Sequence, residues 1–225
     1  MPRVLAFDVN ETLLDLRALD PHFERVFGDK AVRREWFQQM LQNMFVTIAT
    51  DRYADFGTIG RGALEMVAER RQVTLSDEHR QTILGTIRQL PPHPEVKEQL
   101  GRLRAAGFRM AALTNSTAQT AEAQLAHAGI RDLFEEVLSA DAVKRLKPAP
   151  EPYRMVAQRF GVALGEVRLV AAHAWDVAGA LAAGCAAAFV ARPGMVLDPG
   201  APRPGIFGKD LREVADQIIE RDRDS

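Results

Sequence analysis

Four short polar clusters interrupt apolar runs in this chain, and together they hold the groups needed for nucleophilic and acid–base chemistry. They are Asp8-Val9-Asn10-Glu11-Thr12, Thr114-Asn115-Ser116, Lys144-Arg145-Leu146-Lys147-Pro148 and His173-Ala174-Trp175-Asp176. A carboxylate faced by a lysine stays ionised, because an opposite charge favours the charged form. An ionised, partly desolvated carboxylate can attack an electrophilic carbon or phosphorus. Alone, Asp8 could equally be a helix cap or a turn residue. The other three clusters weigh against that, since a fold needing only stability has no reason to gather acids, a lysine and a histidine. A histidine held by a carboxylate is a natural general base near neutral pH, which singles out His173 and Glu11. Glu11 could instead cap the following segment, and His173 could be a hydrogen-bonded structural residue.

These clusters need a frame that brings them together. The first follows Val4-Leu5-Ala6-Phe7, a short unalternating apolar run of the kind found in buried parallel strands. Similar runs recur at Met110–Leu113, Val137–Leu138, Leu169–Ala172 and Ala187–Val190. Helical patterns at 95–106, 118–128, 151–160 and 176–183 separate them, each ending before a glycine: Gly107, Gly129, Gly161 and Gly184. Strand, helix, glycine, strand is the rhythm of an α/β protein with a doubly wound parallel sheet. In such sheets ligands bind beyond the carboxyl ends of the strands, where all four clusters fall.

Residues 15–92 break the rhythm. They contain no convincing strand and read as helices at about 18–48, 58–71 and 76–89, the last with Ser76 as N-cap. Leu90-Pro91-Pro92-His93-Pro94 closes the segment as a stiff connection. The expected organisation is an α/β core, residues 1–14 and 93–225, with a helical cap subdomain at 15–92. Trp36, Phe37, Met40, Phe45, Tyr53 and Phe56 are expected mainly in the cap's own core, with one or two facing the pocket. The tail brings a Pro/Gly-rich loop from Pro193 to Gly205, a helix near 209–222, and Glu220-Arg221-Asp222-Arg223-Asp224 as a solvated helix end.

Taken in order, FDVNETLLD from Phe7, LTNS from Leu113, LKPAPEPY from Leu146 and HAWDVAGALAAG from His173 resemble the four successive motifs of the haloacid dehalogenase superfamily. The helical insertion after the first motif resembles that superfamily's cap. The resemblance implies a Rossmann-like core and Asp8 as a nucleophile that forms a covalent intermediate. Within the superfamily, phosphatases carry a second acid two residues after the nucleophile; here it is Asn10, which cannot shuttle a proton. They also carry a Gly-Asp pair that helps hold Mg2+, an ion that favours carboxylate ligands; here Ala171-Ala172 stands there. The chain is more similar to the (S)-2-haloacid dehalogenases, which implies attack of Asp8 on the halogen-bearing carbon, then hydrolysis of the ester, with no metal and no cofactor. A phosphatase acting on a small phosphomonoester is the alternative.

By that resemblance Lys147 positions the Asp8 carboxylate, Tyr153, the family's tyrosine six residues on, binds substrate, Thr12, Thr114 and Asn115 contact substrate carboxylate and halide, and Asp176 orients Lys147 or water. The sequence departs from the common pattern in three places. Phe37 stands where a cap arginine contacts substrate, which favours small acids such as haloacetates. His173 replaces an asparagine. Glu11 replaces a glycine. A subset of the family resembles this chain in pairing a glutamate and a histidine to activate the hydrolytic water.

Composition narrows the setting. The chain has 225 residues, 47% of them hydrophobic, enough for one domain with an insertion. The net charge is −1 and the basic residues are dispersed, which argues against nucleic acid or an anionic membrane as partner. One cysteine, Cys185, cannot pair within the chain and fits a reducing compartment. No stretch approaches the roughly 20 apolar residues of a membrane span. The expectation is a cytoplasmic enzyme, a homodimer like many relatives, acting on a small 2-halo acid.

Overall fold

In the computed structural model, which describes residues 4–222, six parallel strands form one sheet in the order β3-β2-β1-β4-β5-β6. They are β1 (Val4–Phe7), β2 (Arg109–Thr114), β3 (Glu136–Ser139), β4 (Val167–Ala171), β5 (Ala186–Val190) and β6 (Ile206–Gly208). Strand residues alternate between two buried clusters, as a period of two demands. Leu5, Phe7, Met110, Ala112, Val170 and Ala188 face one side. Val4, Ala6, Ala111, Leu113, Leu169 and Ala187 face the other. Helices α5 (Val96–Ala105) and α9 (Leu211–Asp222) cover the first face, with Leu125 of α6 (Ala118–His127). Helices α7 (Pro150–Phe160) and α8 (Ala174–Ala183) cover the second. With both faces covered, the strands read as continuous apolar runs rather than alternating ones.

Strand order reverses between β1 and β4: the chain builds outward through β2 and β3, then returns to add β4, β5 and β6. The carboxyl ends of β1 and β4 therefore flank the switch point, where the flanking loops diverge and leave a crevice. Asp8 follows β1 and His173 lies two residues beyond β4.

Between β1 and β2 the chain forms α1 (Asp20–Phe27), α2 (Val32–Ala49), α3 (Phe56–Arg70) and α4 (Asp77–Thr86). It leaves and returns through neighbouring segments: Asp15 N donates to Pro91 O at 2.8 Å, and His93 N to Leu13 O at 2.9 Å. Ser76 caps α4 by accepting from His79 N at 3.1 Å. The buried side chains of α1–α4 are continuous with the cluster on the first face of the sheet.

The structure corrects several details. The helix expected at 18–48 is two helices, because Gly28 takes the left-handed conformation (φ 72°) and Asp29 Oδ1 then accepts from Ala31 N at 2.8 Å to start α2. Strand β6 falls at the end of the expected loop; three residues bounded by glycines are too short for periodicity to show. Phe45 and Tyr53 are exposed rather than core. Asp222 is not solvated: it is buried, accepting from Arg168 Nε at 2.7 Å and Nη2 at 3.0 Å, which ties α9 to β4. Arg223 and Asp224 lie outside the described residues. Among the described residues, no helix is long and apolar enough to cross a membrane.

Candidate active site

Asp8 stands at the first position beyond β1, its N–H still donating to Val170 O of the neighbouring strand at 3.0 Å. That bond fixes the backbone at the switch point, and the side chain leaves the sheet edge among donors. Lys147 Nζ donates to Asp8 Oδ1 at 2.9 Å, and the Thr12 hydroxyl donates to Oδ2 at 2.6 Å. His173 Nδ1 lies 3.2 Å from Oδ2. Burial alone would raise the Asp8 carboxyl. Lys147, His173 and Thr12 overcome it and hold the group well below the ordinary carboxylate range. These contacts favour the Asp8 carboxylate in its charged form.

Lys147 is fully buried and has three protons to place. They go to Asp8, to Asp176 Oδ2 at 2.6 Å and to Leu113 O at 2.9 Å. The lysine is thus a fixed charge, with no donor left for a ligand. Burial would lower it, but Asp176 and Asp8 together raise it. Asp176, in the first turn of α8, also accepts from the Tyr153 hydroxyl at 2.5 Å. Asn115 grips the backbone of the same lysine in both directions: its Oδ1 accepts from Lys147 N at 2.8 Å, and its Nδ2 donates to Lys147 O at 3.2 Å. Gly179 of α8 lets Pro148 and the Tyr153 hydroxyl pack against it, where any Cβ would overlap both.

Glu11 and His173 meet as expected. Glu11 Oε2 lies 3.0 Å from His173 Nε2, so the imidazole is held between two carboxylates. Burial would lower its pKa; the hydrogen bonds to Asp8 and Glu11 raise it instead to about 9. Glu11 takes a left-handed backbone conformation (φ 63°) that is unfavourable for a side chain and free for glycine. Strain retained at a residue whose carboxylate reaches the site argues that the side chain is needed.

A cavity of about 10 Å³, the room of roughly one water, lies above Asp8. Phe37, Thr114, Asn115, Lys147, His173 and Trp175 line it, with Asn10, Leu41 and Phe56. Phe37 and Leu41 project from α2 one turn apart, and the Phe37 ring stacks on His173 at 5.9 Å. Larger clefts of about 420 and 500 Å³ open on either side, and Phe37 borders both. Thr12 and Tyr153, expected to touch substrate, do not line the cavity: each is buried and spends its hydroxyl on a site carboxylate, while Thr12 Oγ1 also accepts from Ala172 N at 2.9 Å. Trp175 was not singled out from sequence. Its ring packs on His173 at 5.2 Å, and its indole N–H is buried with no protein acceptor. Its place between His173 and Asp176 was the available signal.

A family model for haloacid dehalogenase-like hydrolases matches residues 2–184. The chain belongs to the haloacid dehalogenase-like hydrolases. Among members of this family it is 31% identical to an (S)-2-haloacid dehalogenase of Xanthobacter autotrophicus over 198 residues, covering 85% of this chain and 76% of the relative. It is 28% identical over 214 residues to the (S)-2-haloacid dehalogenase of Pseudomonas sp. strain YL, covering 94% and 92%. A solved L-2-haloacid dehalogenase from Xanthobacter autotrophicus with chloropropionic acid covalently bound superposes with a TM-score of 0.91 at 25% identity, covering 99% of this chain and all of that one. The α/β fold expected from the sequence is the fold of these hydrolases.

Proposed function

We propose that this hydrolase is an (S)-2-haloacid dehalogenase that converts short 2-haloalkanoic acids to 2-hydroxy acids through an ester on Asp8. The observation that carries the reading is the Asp8 carboxylate itself: buried, anionic and aimed by Lys147 and Thr12 into a small, largely apolar cavity. An Asp8 oxygen attacks the halogen-bearing carbon from behind. The new C–O bond forms as the C–X bond breaks, halide leaves with the bonding pair, and the centre inverts. A dry cavity removes water from the attacking carboxylate. Thr114, Asn115, Phe37 and Trp175 line that cavity and are the residues nearest a substrate there.

Hydrolysis follows from what alkylation does to His173. The ester has lost the Asp8 charge that helps hold the imidazole protonated. His173 then releases its proton to solvent and becomes a base still oriented by Glu11. Water attacks the Asp8 carboxyl carbon while His173 takes its proton. The tetrahedral adduct collapses, the alkoxide leaves with the proton returned by His173, and the carboxylic acid formed passes its proton to the imidazole. Asp8 and charged His173 are restored, and each turnover releases one halide and one proton.

Metal-dependent phosphoryl transfer fits the residues less well. Asn10 offers no acid for the leaving group: its Oδ1 accepts from Gln124 Nε2 at 2.9 Å. The carboxylates of Asp8 and Asp176 already accept from Lys147, Thr12 and Tyr153, a donor set that leaves little for Mg2+. The proposal includes residues 15–92 as a cap over the site, a cytoplasmic setting in keeping with the single buried thiol of Cys185, and a homodimer. Halide release from (S)- and (R)-2-chloropropionate with chelator present tests the function. Release from the (S) acid alone, lost in Asp8→Asn, is expected. Mg2+-dependent hydrolysis of a phosphate ester without halide release would transfer the assignment to a phosphatase.

A further inference from the structure

A line of alternating charges enters the site from the α1–α4 layer. Asp20 Oδ1 at the start of α1 accepts from Arg33 Nε of α2 at 2.5 Å. Arg33 Nη1 lies 3.6 Å from Glu11 Oε1. The other Glu11 oxygen lies 3.0 Å from His173 Nε2, and His173 Nδ1 faces Asp8. Arg33 is only 4% exposed, and a buried guanidinium persists only when paired. It belongs to neither the nucleophile nor its lysine clamp, yet it lines the cleft of about 500 Å³ that also exposes Glu11 and His173.

Glu11 needs such a partner. Its left-handed backbone fixes where the side chain starts but not where the carboxylate ends. Among the described residues, that carboxylate meets only His173 and Arg33. We infer that Arg33 is a positioning residue for the hydrolytic half-reaction, holding the Glu11 carboxylate on His173 Nε2 from a helix outside the sheet. The inference rests on the Glu11–His173 reading above. It also assigns α2 two duties at one helical turn's spacing: Phe37 walls the cavity, and Arg33 sets the base beside it.

Arg33 has an electrostatic consequence as well. The charged groups around His173 are Asp8 and Lys147 on one side and Glu11 and Arg33 on the other; Asp15, Arg17, Arg34, Arg192 and the titratable His93 line the same cleft. A cation behind Glu11 weakens its pull on the imidazole proton. Without Arg33 the ester form of the enzyme should hold that proton to higher pH, and the base should be available later in a titration.

The test separates the two half-reactions. Halide burst reports alkylation, and decay of the alkylated Asp8 peptide, followed by mass spectrometry, reports hydrolysis. In Arg33→Met the burst rate should stay within about threefold of native, while ester decay slows on the order of tenfold or more and its acid limb moves up by about one pH unit. Arg33→Lys should recover part of both changes. In a Glu11→Gln background, Arg33→Met should add nothing, because residues acting through one another are not additive. Equal slowing of burst and decay with an unmoved pH limb would make Arg33 merely structural and overturn the inference. If Arg33→Met does not fold, Arg33→Gln carries the test: an unchanged decay rate and pH limb there would overturn it too. Normal ester decay in both Glu11→Gln and His173→Asn would instead overturn the base assignment on which the inference stands.

Discussion

Raising the pH from 6.5 to 9 should remove the stabilisation that His173 supplies through its contacts with Asp8 and Glu11. A buried imidazole on its own would resist charging, but Asp8 and Glu11 lift it from an ordinary value near 6.5 to about 9. At about 1.4 kcal/mol per unit, the lift is worth on the order of 3 kcal/mol. The folded pKa lies above the unfolded one. The contribution is therefore complete below pH 6.5, where both states hold the proton. It shrinks between 6.5 and 9, where only the folded state does, and is gone above 9. Urea unfolding of the native protein and of His173→Asn across pH 6 to 9.5 reads this directly, with the native protein losing about 3 kcal/mol more than the variant. Cys185, whose thiol burial pushes up to about 11, and His93, which burial and Arg192 hold low, are common to both proteins and cancel in the difference. Parallel stability curves would refute the charged imidazole, and with it the proposed release of its proton on alkylation.

Other outcomes follow from the same contacts. Glu11→Gly replaces a strained left-handed residue by one that adopts φ 63° freely, so the fold should tolerate it while ester decay slows by roughly 10²–10⁴-fold, checked by denaturation and by the alkylated peptide. Lys147→Met removes the one charge between two buried carboxylates; thermal unfolding should show a loss of about 3–5 kcal/mol, and halide release should cease. Phe37→Ala should join the cavity of about 10 Å³ to its flanking clefts, lowering KM for 2-halobutyrate relative to chloroacetate in steady-state assays.

Much of the core was legible because parallel strands buried on both faces announce themselves as unbroken apolar runs, and four of the five led to a polar cluster. The site followed from that regularity: once β1, β2 and β4 are adjacent and parallel, Asp8, Asn115 and His173 must share an edge. The helical layer was less legible. Nothing in the run from residue 18 to 48 required a break except Gly28, whose positive φ becomes visible only when the chain turns there. Where the Thr12 and Tyr153 hydroxyls point was not legible, because residue type identifies a hydroxyl but not its acceptor. Both hydroxyls point at carboxylates, and that depends on side-chain depth. Arg33 was invisible for the same reason: its importance lies in reaching Glu11 and Asp20 at once, from a helix separated from the first by an entire loop.

The central claim is that an oxygen of Asp8 becomes the hydroxyl oxygen of the product. A single turnover with enzyme in excess over (S)-2-chloropropionate in H2¹⁸O tests it most directly. The account predicts unlabelled lactate in the first turnover and one ¹⁸O atom in the peptide containing Asp8, because water attacks the carboxyl carbon of the ester. Labelled lactate with an unlabelled Asp8 would mean that water displaces the halide itself, and would contradict the covalent mechanism.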